Sequence, residues 1–292
     1  MKKRSHAGGL KEKCMGGVFL FCAILSVVAV LCICLFLFLN GIPAINEIGW
    51  KEFILGQKWK PVDTPASFGI LSMIVGSIYV TGGAIAIGVP IGLLCAVFMA
   101  EFCPQKLYKV LKPAVNLLAG IPSIIYGFFG MQVVVPFVRD HFGGNGYSIL
   151  SASIILGVMI LPTIISISES SLRAVPRPYL EGALSMGATK EEGVFRVMVP
   201  AAKSGILTSI ILGIGRAIGE TMAVVMVAGG AVMPLDQIGL LKPIRTLTAN
   251  IVTEMSYSSG LHTQALIATG VVLFVFIILL NLFLSCLKRK EG

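Results

Sequence analysis

Two charged residues, Arg216 and Glu220, interrupt the apolar stretch GILTSIILGIGRAIGETMAVVMVAGG that begins at Gly205. Arg216 follows Lys203 by 13 residues, a distance of about 20 Å along a helix. If this stretch crosses a membrane, Arg216 lies near the middle of a hydrocarbon core about 30 Å thick. A central arginine costs at least about 2.5 kcal/mol there, so we interpret it as a functional residue.

The chemistry that fits Arg216 is recognition of an anion, because its planar guanidinium can give an oxyanion two hydrogen bonds. Glu220 follows one helical turn later on the same face, so the two side chains can pair. Glu220 then either holds the guanidinium in place or weakens its grip, so that the anion can leave. The alternative is a purely structural ion pair that locks helices together. The pattern indicates an anion but does not identify it.

Two hydroxyl residues complete the set that we assign to substrate translocation: Thr221, next to Glu220, and Ser123, in the stretch GIPSIIYGFFG. Pro122 precedes Ser123 and should kink the helix there, because proline has no backbone donor. Ser123 and Tyr126 either face a transport pathway or pack against a neighbouring helix.

Three glycines, Gly213, Gly215 and Gly219, surround the two charged residues. Small residues allow helices to approach closely. They also leave room for a substrate, and the sequence does not distinguish these two roles.

A polar segment between two apolar runs, EGALSMGATKEEGVFRVMVP, occupies residues 181–200. Pro178 suits the first turn of a helix, and Gly187 suits its C-terminal end. Thr189, with Glu192 three residues later, is a capping box that predicts the start of a second short helix. We therefore expect a helix, a sharp turn and another helix, ending at the entry to the next apolar run.

This segment resembles the cytoplasmic signature of the membrane permeases of ATP-driven importers, E-A-A-x3-G-x9-I-x-L-P. The spacing agrees, whereas Gly182, Val197 and Val199 replace the first Ala, the Ile and the Leu. Gly182 should weaken its helix by up to about 1 kcal/mol relative to alanine. The resemblance implies that the segment docks on an ATPase subunit; an ordinary amphipathic loop is the alternative. The residues assigned to ATPase coupling are Glu181, Gly182, Ala183, Gly187, Ala188 and Pro200.

The sequence contains no Walker motif, G-x4-G-K-[ST], since no lysine follows a glycine. We therefore expect that the chain does not itself bind or hydrolyse ATP, and that it has no catalytic residue and no cofactor. The seven cysteines and three histidines lack the spacing of a metal site. We interpret the cysteines as apolar packing residues.

The elements that must position these residues are membrane helices. The chain is 56% hydrophobic and only 13% charged, whereas about a quarter of the residues of a soluble domain are charged. A spanning helix needs about 20 apolar residues, and the apolar runs lack the alternating polarity of barrel strands. We predict an all-α integral membrane protein with six transmembrane helices, at residues 17–39, 68–98, 114–138, 149–168, 205–233 and 264–287.

These helices are expected to form a single transmembrane domain, residues 17–287, with a cytoplasmic coupling loop at 170–203 and cytoplasmic tails at 1–16 and 288–292. The orientation follows from the lysines and arginines: 16 lie on the side of the two tails, 6 lie on the other side, and Arg216 completes the 23. The positive-inside rule places the richer side in the cytoplasm. Membrane topology therefore explains the net charge of +9 better than nucleic-acid binding does. The first apolar run is too long for a signal peptide and lacks a cleavage site, so we interpret it as a retained helix.

The predicted outer loop at residues 40–67 is rich in large apolar side chains, among them Trp50, Phe53, Ile54 and Trp59. We predict a short helix or turn at the membrane interface, where tryptophan is favoured. Docking of an external receptor protein is the alternative.

Several blocks of the chain resemble one family, the permeases of the bacterial high-affinity phosphate ABC importer. The blocks are AGIPSIIYGFFG from Ala119, MILPTIISISESSLRAVP from Met159, GRAIGETMAVVMVAGG from Gly215 and PIRTLTANIVTEM from Pro243. The form of the last two resembles the C-type (PstC) permeases. The resemblance implies a type I importer permease fold (MetI-like) in the bacterial plasma membrane. It also implies a sister permease (PstA-like), two ATPase subunits (PstB-like), an external phosphate-binding protein (PstS-like) and phosphate as the substrate.

The sequence is also compatible with three other functions. A permease for another oxyanion, such as molybdate, sulfate or phosphonate, would differ in which ions compete for uptake. A stand-alone secondary transporter or channel would predict inverted repeats and broken helices, and transport without an ATPase. A purely structural or regulatory membrane partner would leave Arg216 and Glu220 without a role.

Overall fold

The computed structural model describes residues 6–290, and the surroundings of the side chains from 15 to 282. Residues 1–5 and 291–292 of the predicted tails lie outside the described part. Two antiparallel strands of two residues each, β1 (Trp59–Lys60) and β2 (Ser67–Phe68), are the described strands. The expected all-α membrane architecture is confirmed. The helices are α1 His6–Ile48, α2 Trp50–Leu55, α3 Leu71–Val97, α4 Gln105–Gly120, α5 Ser123–Phe129, α6 Val135–Phe142, α7 Ile149–Arg173, α8 Pro178–Ser185, α9 Lys190–Gly193, α10 Val199–Ala201, α11 Lys203–Gly219, α12 Met222–Val227, α13 Leu247–Glu254 and α14 Leu261–Lys290.

Four of the described helical segments are long and apolar enough to cross a membrane, and the number rises to six if two bent pairs each count as one span. The four are Met15–Ile48, Leu71–Phe102, Ile149–Arg173 and Leu261–Leu282. The two pairs are Gln105–Gly120 with Ser123–Phe142, and Lys190–Ala201 with Lys203–Gly219.

The helix α7 is the centre of the bundle, since α3 packs along one side of it and α11 along another. Close approach of α3 and α7 depends on small residues. A Cβ atom at Gly88 would lie 2.7 Å from the side chain of Ile160 and 2.8 Å from the carbonyl oxygen of Gly157. A larger residue would therefore force the two helices apart, as expected where glycines set the spacing of membrane helices.

The apolar run at 114–138 is not one spanning helix, which corrects the predicted boundaries. The helix α4 ends at Gly120, and the chain turns by 97° before it continues as α5. Ile121 and Pro122 are both extended, with ψ of 126° and 141°. Proline disfavours helical geometry in the residue before it, so the expected kink at Pro122 becomes a full break.

The run at 205–233 is also interrupted. The helix α11 ends at Gly219, and Glu220 is extended, with φ −72° and ψ 132°. A short helix, α12, then starts at Met222 and ends at Val227.

The loop expected at 40–67 differs most from the prediction. The helix α1 continues to Ile48, and the predicted short helix is present as α2. Phe53 and Trp59 are buried inside the protein, with exposed fractions of 0% and 6%, and so are not available as lipid-facing anchors. They pack instead into a core formed with the C-terminal part of α1, with α13 and with α14.

Candidate functional site

Arg216 lies in the last turn of α11, next to the break in that helix. Its Nη1 donates a hydrogen bond of 3.5 Å to the hydroxyl oxygen of Thr163 in α7. The carbonyl groups that end a helix carry partial negative charge, so this position favours a cation. The hydrogen bond to Thr163 therefore connects the guanidinium at the end of α11 to α7.

The predicted ion pair between Arg216 and Glu220 is not formed in the described part of the chain. The prediction assumed a continuous helix, and the helix ends one residue before Glu220. The carboxylate instead accepts a hydrogen bond of 3.3 Å from the backbone N–H of Ala223, at the start of α12. A negative charge is favourable at a helix N-terminus. Glu220 therefore stabilises the second half of the broken span, and no described residue serves as a counter-ion to the guanidinium.

The break between α11 and α12 is stabilised by a helix outside this span, α13. Thr248, in α13, donates a hydrogen bond of 3.2 Å to the backbone oxygen of Glu220. The backbone N–H of Leu247 donates a hydrogen bond of 3.1 Å to the hydroxyl oxygen of Ser77, which ties the start of α13 to α3. Thr221 lies at the same break, and its hydroxyl bonds to the carbonyl oxygen of Gly219 at 3.3 Å. The backbone at Glu220 is thus held by the remote helix α13, whereas the side chain of Thr221 is held by the end of α11.

The three glycines around the site have different roles, which the sequence alone did not separate. A Cβ atom at Gly213 would lie 3.3 Å from Ile164 of α7, so Gly213 permits helix packing. At Gly215 and Gly219 the same atom would meet nothing within 4 Å. The space beside Arg216 is therefore open on the side of these two glycines.

Ser123 begins α5 directly after the break at Pro122, and its side chain is half-buried. Tyr126 is buried, with an exposed fraction of 6%. Its hydroxyl donates a hydrogen bond of 2.8 Å to the carbonyl oxygen of Leu118, near the end of α4. This bond ties α5 to the end of α4 across the bend, and it adds to the weak 3.4 Å bond that the same carbonyl oxygen accepts from the N–H of Ile121. Ser123 and Arg216 are not joined by a hydrogen bond among the described residues.

The helix–turn–helix predicted at 178–200 is confirmed. Pro178 is the first residue of α8, and Gly187 ends the turn with φ of +89°. The capping box is complete: the hydroxyl of Thr189 accepts from the N–H of Glu192 at 3.2 Å, and the Glu192 carboxylate accepts from the N–H of Thr189 at 3.1 Å. A π-helical turn and α10 then carry the chain through a 70° bend into α11. The turn therefore leads directly to the helix that holds Arg216.

One face of this coupling segment is buried and the other is exposed. Leu180 and Val194 pack on the end of α3 and on α7. The exposed side carries large apolar residues, namely Tyr179, Leu184, Met186 and Phe195. Met186 is 90% exposed, at the tip of the turn. Exposed apolar residues grouped on a polar segment are typical of a protein-binding surface. The coupling candidates at Glu181, Gly182 and Pro200 are exposed, and those at Ala183 and Ala188 are half-buried.

The coupling segment is attached to α3 by two cations that meet at Glu101. This carboxylate is buried, with 1% of its side chain exposed, and it accepts a hydrogen bond of 2.9 Å from Arg177. Lys190 donates to the backbone oxygen of Glu101 at 2.6 Å and lies over the ring of Phe102. The carboxylate atom Oε1 of Glu101 is buried without a partner in the described part. A displacement of α8 or α9 therefore acts directly on the end of α3.

A second buried carboxylate, Glu169, ties α4 to α7 at the same end of the bundle. It accepts hydrogen bonds from Tyr108 at 2.9 Å, from Lys112 at 2.7 Å and from Arg173. The guanidinium of Arg173 also lies over the Tyr108 ring, at 4.4 Å. Neither carboxylate was predicted as a site residue from the sequence, although each is an acidic residue at the end of an apolar run and near clustered basic residues.

Residues 88–291 match the family described as the binding-protein-dependent transport system inner membrane component. A probable ABC transporter permease, YqgH of Bacillus subtilis, is 37% identical over 92% of this chain and 89% of its own length. The phosphate transport system permease protein PstC of Mesorhizobium japonicum is 36% identical over 88% of this chain and 84% of its own. The probable PstC of Methanocaldococcus jannaschii is 32% identical, over 87% and 86% respectively.

Solved structures agree on the fold. A subunit of a bacterial ABC transporter for alginate superposes with a TM-score of 0.66 at 14% identity, over 96% of this chain and 98% of its own. A chain of the MetNI methionine ABC transporter gives a TM-score of 0.60 at 22% identity, over 76% of this chain and 96% of its own. The predicted type I importer permease fold is thereby confirmed for a multi-pass membrane chain.

Proposed function

The chain belongs to the family of binding-protein-dependent transport system inner membrane components, and from this premise we propose that it is the permease subunit of an ATP-driven phosphate importer. Permeases of such ABC importers work with an ATPase and a binding protein. For this chain we propose a PstA-like sister permease, two PstB-like ATPase subunits and an external PstS-like phosphate-binding protein. ATP is bound and hydrolysed by the ATPase subunits and not by this chain.

The observation that carries the ATP-driven part of the proposal is the exposed helix–turn–helix at 178–200. Its apolar tip suits insertion into a partner, while its buried face is fastened to Glu101 and leads into α11. Movement of the tip is thereby transmitted to α3 and to the helix of Arg216. Coupling of this kind requires an element with two conformations, whose equilibrium is shifted both by the ATPase at the tip and by the substrate at Arg216.

The phosphate part rests on Arg216 and on the relatives. Arg216 lies beside open space and has no counter-ion among residues 15–282, whose side-chain surroundings the structure describes, and this suits an anion in transit. The PstC proteins of several bacteria, 31–36% identical to this chain over most of its length, are named for phosphate transport. Another oxyanion would satisfy the same guanidinium, so substrate identity is an experimental question.

Reconstitution tests the proposal directly. The chain should be combined in vesicles with its sister permease, ATPase and binding protein, and ³²P-phosphate uptake should be measured with and without ATP. We expect uptake that requires ATP and that excess sulfate, molybdate or phosphonate does not suppress. If one of these ions suppresses uptake at the concentrations at which phosphate itself is transported, that ion is the substrate instead.

A stand-alone secondary transporter would also contain broken helices, and the break between α11 and α12 is one. This alternative gives no role to the exposed tip around Met186. It predicts uptake by the chain alone, driven by an ion gradient, and the same vesicles without ATPase distinguish it.

The membrane orientation is a separate prediction. We place both termini and the 178–200 segment in the cytoplasm because of the distribution of lysine and arginine. Cysteines introduced at Met186 and at Tyr257, which are 90% and 64% exposed, should be treated in intact cells with an impermeant thiol reagent. We expect labelling at 257 and protection at 186 until the cells are opened. Labelling at 186 alone would reverse the topology.

A further inference from the structure

The helix α4 lies across one end of the bundle instead of along it. A 97° bend separates it from the segment Ser123–Phe142. Lys112 and Tyr108 of α4 both bond to Glu169, near the end of α7. The coupling segment is at this same end, which the proposed function assigns to the cytoplasm.

The side chains of α4 form three rows. At about 100° per residue, Tyr108, Leu111 and Val115 share one side and pack on α7 and its neighbours. A second side of the same helix is apolar and exposed. Its members are Leu107, Val110, Leu117 and Leu118, with exposed fractions of 42%, 65%, 74% and 37%.

The third row is cationic. Lys106 and Lys109 lie on it and are exposed, and α4 contains no acidic residue. Within the part of the chain that the structure describes, neither lysine has a hydrogen bond or an ion pair. Lys112, by contrast, is held by Glu169 at 2.7 Å. Two positive charges therefore remain available beside an uncovered apolar row.

The apolar row continues past the bend. In α5, Ile124, Ile125, Phe128 and Phe129 are each about half exposed, at 50%, 53%, 57% and 52%. The surface of α4 is thus continuous with that of a segment that crosses the membrane. A helix with one apolar face and lysines beside it is typical of a helix that lies in the membrane interface.

We propose that α4 is a membrane-surface helix that binds anionic phospholipids of the cytoplasmic leaflet. Its apolar row enters the acyl-chain region, and Lys106 and Lys109 bind the headgroup phosphates. The apolar row selects lipid over free phosphate, because a free anion would leave that row exposed to water. Only the assignment of the leaflet rests on the proposed function.

The occupant of the apolar row can be identified by photo-crosslinking. Leu117→benzoylphenylalanine is introduced in the full chain, and the complete transporter is placed in vesicles of phosphatidylethanolamine and phosphatidylglycerol. We expect lipid adducts at 117. An adduct to the sister permease or to the ATPase at this position would overturn the proposal.

The matched control places the same group at Met186, where an adduct to the ATPase is expected. If 117 gives lipid adducts while 186 gives no protein adduct, the proposed docking fails and the lipid inference stands. If the group at 186 forms an adduct with the ATPase and the group at 117 also forms an adduct with a protein, the proposed docking stands and the lipid inference fails.

The role of charge is tested by the double variant Lys106→Gln with Lys109→Gln. A lysine near an anionic surface favours an acidic lipid about fivefold, so phosphatidylglycerol should be enriched among the adducts at 117 and should fall to its bulk proportion in the variant. Lys51→Gln in α2 with Lys58→Gln just after α2 removes the same charge from exposed positions and should leave the enrichment unchanged. Equal enrichment in both double variants would refute headgroup binding.

Discussion

Replacement of Arg216 by glutamine should abolish transport without preventing assembly. Glutamine keeps most of the bulk but cannot give an anion two charge-assisted hydrogen bonds, each of which contributes about 1.5–3 kcal/mol. At about 1.4 kcal/mol for each tenfold change, we expect phosphate uptake at least about 100-fold slower. Arg216→Lys keeps the charge without the planar fork, so its uptake rate should lie between those of the wild type and of Arg216→Gln. The measurement is ATP-dependent uptake by the purified complex in vesicles.

Two further variants separate this role from a structural one. Thr163→Val removes the hydroxyl that accepts a hydrogen bond of 3.5 Å from Arg216. Loss of this long bond, at about 0.5–1.5 kcal/mol, should slow uptake by no more than about tenfold. The double variant Arg216→Gln with Glu220→Gln should assemble and remain inactive, since the two side chains do not pair and the glutamine oxygen can still cap α12. Near-normal uptake by that double variant would contradict the substrate role of Arg216.

Gly187→Ala should uncouple the ATPase from the permease. Gly187 has φ of +89°, and a Cβ atom there meets no neighbour within 4 Å, so the cost arises from the backbone alone. A residue with a side chain pays about 1–2 kcal/mol in the left-handed region, and this should distort the turn that holds α8 against α9. We expect docking of the ATPase to weaken about tenfold, measured by co-purification and by the ratio of uptake to ATP hydrolysis.

The neighbouring glycine supplies the control. Gly182 lies within α8, with space around its Cβ position, so Gly182→Ala should leave docking unchanged or improve it by strengthening the helix by up to about 1 kcal/mol. Glu181→Lys, at an exposed position of the same helix, should abolish docking while the protein still inserts in the membrane. Wild-type co-purification in Gly187→Ala and in Glu181→Lys would refute the coupling assignment.

The features that were predictable from the sequence depend on residues close together in the chain. The capping box of Thr189 and Glu192, the proline that starts α8 and the turn at Gly187 all formed as expected. Helix caps and turns are settled by hydrogen bonds over three or four residues, so a short window contains their cause. The membrane class likewise follows from composition, because a long apolar run must be buried or placed in lipid.

The arrangement of the site depended on contacts that no local pattern reports. Glu220 was expected to face Arg216, but the helix between them ends and α13 holds the break through Thr248. Trp59 was expected at the membrane interface, but it is buried in a core with α13 and α14, where its indole N–H donates to Glu254, 195 residues away, at 2.6 Å.

A multi-pass helical membrane protein with a polar helix–turn–helix and one central arginine was predictable from the amino-acid sequence. Three features depend on packing between remote helices: Arg216 lies beside Thr163 with no counter-ion among the described side chains, α4 turns across the end of the bundle, and Glu101 fastens the coupling segment to the end of α3. These two groups of features differ in how far apart in the chain the interacting residues lie. Hydrogen bonds within a turn and transfer into lipid are properties of a segment, whereas the partner of a buried charge is chosen by how remote helices pack.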